Sequence, residues 1–238
     1  MIADDDTSAA LETVHDLIPR LPGPEALLAH CRALAVLDTV LERDHPQYRD
    51  HAFDPHWGDG MALASLDNAG GDLYAIAFGP AGVFLYGFDH ECVATPWREE
   101  PRAHWPGLLD GLPAALAAYP AEEAFLFDGF FDATLCAWHT GGANGWQCGP
   151  VEFEDGETDG AWLFELLRDG SVEARAEAYA ADAEDHLERR VDRAAVASVL
   201  AGEPLTASVV AALNPSAGFA AVAAEAAALG FPVAQCSS

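Results

Sequence analysis

Two clusters of polar and aromatic side chains, most of them ionisable, lie at the ends of an otherwise strand-rich stretch of the sequence. The first contains His51, Asp54, His56, Trp57 and Asp59, and the second is Asp89-His90-Glu91. Imidazole and carboxylate groups are the ligands of non-thiolate zinc, manganese and iron centres, and they also serve as general acids and bases. The candidate catalytic residues are therefore His56, Asp59, Asp89, His90 and Glu91. The candidate metal ligands are His56, Asp59, Asp89 and Glu91.

Strand geometry limits what the second cluster can do. If strand pairing continues to residue 91, Asp89 and Glu91 share one face and His90 points to the other. The three side chains could not then bind one ion, and their spacing does not match a zinc signature such as H-E-x-x-H. The alternative interpretation is structural, with these residues capping strand ends and bonding to loop backbone. The residue pattern favours this second interpretation.

Two further groups have a chemical and a structural interpretation. Cys136 and His139, with Cys148 nearby, have the residue types of a nucleophile or ligand set. In a strand, however, an offset of three places Cys136 and His139 on opposite faces, so Cys136 is predicted to be a small buried hydrophobe. The acidic run 152–159 has the composition of a calcium loop but lacks its D-x-[DN]-x-[DN]-G order, which predicts a surface loop.

The charge of the chain restricts its partners. The 238 residues include 39 acidic and 11 basic side chains, a formal net charge of −28, and every basic residue is arginine because lysine is absent. Repulsion from phosphate predicts no binding to nucleic acid or to an anionic membrane. The same negative charge would attract a basic protein partner. A GC-rich or salt-adapted genome would explain the same acidity without any such partner. The absence of lysine excludes Schiff-base chemistry and lysine-dependent phosphate binding.

Motif and cysteine patterns predict a cytoplasmic protein without a cofactor. The chain has no G-x-S-x-G, no phosphate-binding P-loop and no dinucleotide fingerprint between a strand and a helix. Its five cysteines are an odd number without a C-x-x-C pair, as expected in a reducing compartment. No basic, apolar leader opens the sequence, and no run of apolar residues is long enough to span a membrane.

Hydrophobic periodicity predicts an α+β fold. Leu27, Cys31, Leu34, Leu37 and Leu41 form one stripe of a helix that begins after Pro22-Gly23-Pro24. Glycine-rich turns separate predicted strands, and helical patterns follow. The strands are 61–66, 73–78, 83–88, 124–127, 133–140 and 146–153, after which the helices are 160–167, 171–188, 191–201, 206–213 and 216–229, with a short helix at 113–119. Ser216 is expected to cap the last helix, and Gly230 is expected to close its C-terminus.

The expected architecture is an antiparallel sheet of about five or six strands, with an N-terminal helix and a C-terminal block of helices. Strand 83–88 is apolar on both faces, which predicts a central position covered on both sides. We expect an acidic lead-in over residues 1–21 and then a single domain over 22–236. That domain is sheet-rich over 51–153 and helical over 159–230.

Several short motifs resemble those of a bacterial family of uncharacterised proteins. They are His56-Trp57-Gly58-Asp59-Gly60, Gly87-Phe88-Asp89-His90-Glu91, Thr134 with Trp138, Trp146, and Pro204-Leu205-Thr206 with Leu213-Asn214-Pro215. The resemblance covers residues 50–232 and implies one integrated domain. Cys92 stands where the family has serine, and His139 replaces an arginine-like position, so neither is expected to be catalytic. Small acidic proteins of this kind include immunity partners of toxins.

Two functions from different classes follow from these observations. The first is a non-catalytic, acidic protein-binding module, immunity-like in character, that docks a basic partner and is not an enzyme. The second is a metal-dependent or acid–base hydrolase that uses the His/Asp/Glu clusters. A regulatory protein without a discrete site is the remaining alternative, and the oligomeric state is left open.

Overall fold

The structure, a computed structural model, describes residues 12–142 and 145–234. Residues 1–11 of the predicted lead-in, residues 143–144 of a predicted turn and Cys236 lie outside the described residues. Six helices lie in the described residues: α1 Val14–Leu17, α2 Pro24–Leu41, α3 Val172–Leu187, α4 Arg193–Leu200, α5 Ala207–Leu213 and α6 Phe219–Ala228. Six strands accompany them: β1 His51–Gly58, β2 Met61–Asp67, β3 Leu73–Gly79, β4 Gly82–Phe88, β5 Leu135–His139 and β6 Gln147–Cys148.

The predicted fold class is confirmed. The strands form an antiparallel sheet in the order β1-β2-β3-β4-β5-β6, between an N-terminal helix and a C-terminal block of helices. The described residues divide into two compact units. The first unit consists of residues 12–24 and 67–169, and the second of 25–66 and 170–234. Among the described residues, no helix has both the length and the apolar character needed to cross a membrane.

The first unit is organised around the β3–β4 hairpin. Its register runs from Leu73 opposite Phe88 to Gly79 opposite Gly82 at the turn. Gly82 has a φ of 134°, and a Cβ atom there would lie 2.4 Å from the carbonyl oxygen of His139. Only glycine allows that approach, which lets β5 pair along β4.

Strand β4 is covered on both faces, as its composition predicted. Tyr86 packs against Phe131, with ring centroids 4.8 Å apart. Gly87, the next residue, is oriented towards the opposite face of the sheet. There Phe164 stacks on Tyr74 of β3, with centroids 4.9 Å apart. Phe164 belongs to a 3-10 helix, Ala161–Leu167, that lies where a helix was predicted from residue 160.

The second unit contains the β1–β2 hairpin and helices α2 to α6. The predicted stripe of α2 is buried along its whole length. Three later helices begin at side-chain caps, in which Ser171, Asp192 and Thr206 each accept a hydrogen bond from a backbone N–H three residues on. Gly230, with a φ of 77°, follows the C-cap of α6, as predicted.

Four predicted elements differ in the structure. Residues 113–119 were wrongly predicted as a helix and instead form consecutive turns before the 3-10 helix Tyr119–Ala121, where Pro120 lacks the N–H that would continue a helix. The predicted strand 124–127 is replaced by a 3-10 helix, Glu123–Phe125, and one bridge between Phe127 and Phe130.

The last predicted strand, 146–153, is reduced to the two residues of β6. A Cβ atom at Gly149 would lie 1.9 Å from the carbonyl oxygen of Gly107, so the backbone is packed against another loop there, and Pro150 has no N–H to donate. Ser216 does not cap α6, because its hydroxyl bonds to Asn214 and Gly218 takes the cap position.

Strand β1 was not predicted. His51 and Phe53 point inward while Ala52 and Asp54 are exposed, which is the alternation of a half-buried strand. Pro55 then interrupts the ladder, and the register to β2 shifts between Asp54 and Gly58. Proline is tolerated in an edge strand such as β1, because the backbone N–H group that it lacks is not needed on the side of the strand that has no neighbour.

Candidate functional site

One group of potential metal ligands lies at the open end of the β3–β4 hairpin. Asp72 directly precedes β3, and Asp89 and His90 directly follow β4. Because Leu73 is paired with Phe88, the three side chains meet at the open end of this hairpin, and each has a ligand atom within 4.8 Å of the others. Asp89 and His90 were predicted site residues, whereas Asp72 was not selected from the sequence. Strand β4 ends at Phe88, so the expected alternation does not extend through residues 89–91.

Asp72 and His90 form a hydrogen-bonded pair. The Oδ1 atom of Asp72 accepts bonds from the His90 backbone at 3.1 Å and from His90 Nδ1 at 2.7 Å, while Oδ2 accepts from Asn68 at 3.0 Å. Burial alone would raise the pKa of Asp72, but the bonds from Asn68 and His90 hold that pKa below its ordinary value. The bond to Asp72 in turn raises the pKa of His90.

The carboxylate of Asp89 is engaged on both oxygens. Oδ1 accepts bonds from the backbone of Glu91 at 2.9 Å and of Cys92 at 3.2 Å, and Oδ2 accepts from the indole of Trp162 at 2.9 Å. The Asp89 backbone N–H donates to Thr134 at 3.2 Å. Asp89 therefore ties the end of β4 to two other segments of the first unit.

Gly160 permits this close packing. Its φ is 92°, and a Cβ atom at this position would lie 2.9 Å from the Cβ atom of Asp89.

All four carboxylate oxygens of Asp72 and Asp89 accept hydrogen bonds from the protein. A metal ion would have to displace some of these bonds, so the arrangement fits a clamp on the hairpin ends better than an open coordination site.

The other predicted site residues lie on exposed surface. The Glu91 side chain is 84 % exposed, and its carboxylate is 3.8 Å from His90 Nε2, at the limit of an ion pair. His56 and Asp59 are exposed on the β1–β2 hairpin of the second unit. Asp54, also exposed, accepts a bond from the His56 backbone at 2.8 Å, which is a local turn contact.

A buried polar network in the second unit was also missed. Asp38 accepts a hydrogen bond from the Tyr179 hydroxyl at 2.6 Å on one oxygen. Its other oxygen accepts from the His51 backbone at 2.8 Å and from His51 Nδ1 at 3.2 Å. All three residues are buried, and His51 Nε2 has no hydrogen-bond partner among the described residues.

Charge and burial act in opposite directions on this network. Burial would raise the pKa of Asp38, but the charge of His51 and the bonds from His51 and Tyr179 lower it overall. Burial would lower the pKa of His51, but Asp38, with Asp50 and Asp182 further away, raises it. Because Asp38, His51 and Tyr179 are all buried, loss of one of them would leave another without its partner, and we expect the network to stabilise the second unit.

Among the described residues, which exclude Cys236, no cysteine has the features of an activated nucleophile. Cys136 is buried in β5, as predicted, and burial raises its pKa well above the ordinary value. His139, three residues on, accepts a hydrogen bond from the Gly141 backbone. Cys148 lies 3.8 Å from His15 Nδ1, but burial and then the nearby Asp159 raise its pKa too, which keeps the thiol protonated.

A cavity of about 490 Å³ opens beside the acidic loop of the first unit. The loop and the residues around α1 supply six carboxylates to its wall, and no arginine is among the described residues that line it. These carboxylates belong to Glu12, Asp16, Glu152, Glu154, Asp155 and Glu157. We call this feature the acidic cavity. The sequence predicted a surface loop here but not the cavity, which needs the contact between the loop and α1.

Local hydrogen bonds shape the acidic cavity. The loop folds back on itself through a bond from the Glu154 backbone to the Glu157 carboxylate at 2.7 Å, and His15 reaches the carbonyl of Val151 at 2.9 Å. Asp159, a buried residue that follows the loop in sequence, accepts a bond from the Val14 backbone at 2.7 Å. Burial, with a contribution from the charge of Asp16, raises the pKa of Asp159 to about 7.

The comparisons with known proteins add no relative to this description. The chain matches no protein-family model, no curated protein and no solved structure.

Proposed function

We propose that this chain is a non-catalytic, immunity-like module that binds a basic protein through the acidic cavity. The observation that supports this proposal most directly is the concentration of six carboxylates around one concave surface without an arginine among its lining residues. Such a surface favours a guanidinium or ammonium group from a partner, because each carboxylate can accept a charge-assisted hydrogen bond. The net charge of −28 would attract the same partner over a longer range and accelerate association.

The state of the other candidate groups agrees with a non-catalytic role. The carboxylates of Asp72 and Asp89 are occupied by hydrogen bonds from the protein, and burial keeps Cys136 protonated. By contrast, no hydrogen bond within the described structure occupies the carboxylates of Glu152 and Asp155. These two groups are exposed and able to contact a ligand.

A titration with a cationic probe tests the proposal. The probe is a fluorescein-labelled peptide of alternating arginine and glycine, and its binding to the full chain is followed by fluorescence anisotropy. The cavity variant carries Glu152→Gln, Glu154→Gln and Asp155→Asn. The control variant carries Asp110→Asn, Glu122→Gln and Glu123→Gln, which removes three exposed charges of the same unit outside the cavity and leaves the same net charge.

The two variants separate local recognition from general attraction. We expect the cavity variant to weaken binding about tenfold, which corresponds to about 1.4 kcal/mol, and the control variant to weaken it less than about twofold. Equal losses in the two variants would mean that only the overall charge attracts the peptide. That result would contradict the assignment of the acidic cavity.

Metal binding at the hairpin end is a second candidate function, favoured by the closeness of Asp72, Asp89 and His90. Neutral imidazole and carboxylate groups suit zinc or manganese. In such a site His90 would bind the ion through Nε2, while Asp72 would orient the ring through its bond to Nδ1 and would not bind the ion itself. Calorimetric titration of the full chain with Zn²⁺ tests this function. It predicts binding that His90→Ala abolishes and His56→Ala leaves unchanged. No binding at about 100 µM Zn²⁺, or equal loss in both variants, would refute it.

A further inference from the structure

An exposed aromatic surface lies in the first unit, on the irregular segment between β4 and β5. Trp97 is 53 % exposed and Phe127 is 58 % exposed, and their ring centroids are 6.1 Å apart. Phe130 and Arg102 complete this surface, which we call the aromatic patch. Two large rings left side by side in solvent do not contribute to a core, and exposed apolar clusters of this type are typical of interaction sites.

The aromatic patch is held rigidly by a buried carboxylate. Asp132 accepts hydrogen bonds from the indole N–H of Trp97 at 3.2 Å and from Arg102 at 2.7 Å. The Arg102 guanidinium lies 4.5 Å from the centroid of Trp97 and 5.1 Å from that of Phe130. It also donates to the carbonyl of Phe127 at 3.2 Å. The Trp97 ring is therefore fixed before any partner arrives.

The position of Phe127 is also fixed in the free protein, in this case by the backbone. Phe127 and Phe130 are joined by a bridge across a tight turn, in which Asp128 has a φ of 49° and Gly129 a φ of 75°. The turn projects the Phe127 ring outward beside Trp97. Rings that are ordered in the free protein lose little conformational entropy on binding, and Trp and Arg are among the residues most often dominant in interfaces.

Charge selects the class of partner. Exposed acidic residues adjoin the aromatic patch in sequence: Glu100 lies shortly after Trp97 and Asp128 directly follows Phe127, whereas Glu99 is 3.4 Å from Arg98 in an ion pair. A second copy of this chain would bring together two bodies that each carry a net charge of −28, and nucleic acid or an anionic membrane would be repelled in the same way. A cationic protein is attracted instead, and its arginine or lysine side chains can also stack on an exposed ring.

We propose that the aromatic patch is a docking surface for a basic protein segment that carries an apolar side chain beside its cations. This inference rests on the proposed function for the class of partner, and it adds a specific apolar anchor to the charge attraction of the acidic cavity. The acidic residues around the patch contact the cations, while Trp97 and Phe127 bury the apolar side chain of the partner.

Two peptides of equal charge test the inference with the full chain. One is the arginine–glycine peptide, and in the other every second glycine is replaced by leucine. The protein variants are Trp97→Ala and Phe127→Ala, and the second of these leaves the bonds among Trp97, Arg102 and Asp132 intact. The matched control is Tyr48→Ala, which removes a ring that is 63 % exposed in the second unit. Thermal unfolding followed by circular dichroism verifies that each variant is folded.

We expect the leucine peptide to bind about tenfold more tightly than the glycine peptide. Phe127→Ala and Trp97→Ala should remove most of this difference, while Tyr48→Ala should keep it. Equal affinity of the wild type for the two peptides, or equal effects of Phe127→Ala and Tyr48→Ala, would overturn the inference. Failure of the proposed function gives a different result, because the glycine peptide would then bind the cavity variant and its control equally.

Discussion

Replacing Tyr179 by phenylalanine should destabilise the second unit by about 2 to 3 kcal/mol. The hydroxyl of Tyr179 donates a 2.6 Å hydrogen bond to Asp38, a residue that is only 6 % exposed. A hydrogen bond to a charged group contributes about 1.5 to 3 kcal/mol, and its loss leaves a buried acceptor without a partner. The phenylalanine ring fills the same space, so no cavity adds to this cost.

Urea unfolding of the full chain measures the change. Circular dichroism follows the helices, most of which belong to the second unit, and wild type and variant are compared at pH 5.5. Tyr48→Phe is the control, because it removes a hydroxyl from an exposed ring and should change the free energy of unfolding by less than about 0.5 kcal/mol. A loss below about 0.5 kcal/mol for Tyr179→Phe would refute the view that the buried network stabilises this unit.

Three further predictions concern pH and packing. The pKa of His51 is raised above 6.5, and that of Asp38 is lowered below 3.8. The difference in the free energy of unfolding between the wild type and His51→Gln should therefore be largest between pH 3.8 and pH 6.5. It should fall as the pH rises through the folded pKa of His51 and as it drops through that of Asp38. The pKa of Asp159 is raised from 3.8 to about 7, so its contribution to stability should decline as the pH rises from about 4 to 7. The variant Asp159→Asn should lose that decline in pH-dependent unfolding experiments, and an unchanged slope would contradict the shift. Gly160→Ala should destabilise the first unit by more than about 1 kcal/mol in thermal unfolding, because it combines a φ of 92° with a contact of 2.9 Å to Asp89, and a neutral effect would contradict that packing.

Local patterns in the sequence were sufficient for most helices and for the central hairpin. The stripe of α2, the helices predicted from residues 171 and 206 and the C-terminal Gly230 depend on residues within one or two turns. Strand β1 was missed because Pro55 and its polar neighbours hide an alternation that is only four residues long. The segment 113–119 has helical composition, but the prolines on either side leave only single turns.

The candidate sites depend on contacts that no local pattern encodes. Asp72 has the sequence context of a turn residue, and only the register of Leu73 against Phe88 places it beside Asp89 and His90. Asp38 lies off the apolar stripe of its helix, yet Tyr179, 141 residues further along the chain, buries and pairs it. The acidic run was recognisable by composition, but the cavity exists because α1 packs beside the loop.

We propose that the acidic cavity, and not only the total charge, recognises a basic partner. The decisive quantity is the ratio of dissociation constants of the arginine–glycine peptide for the cavity variant and for the charge-matched control, measured by fluorescence anisotropy at low salt. We expect a ratio of about five or more, since only one variant loses carboxylates that line the cavity. A ratio near one would contradict it.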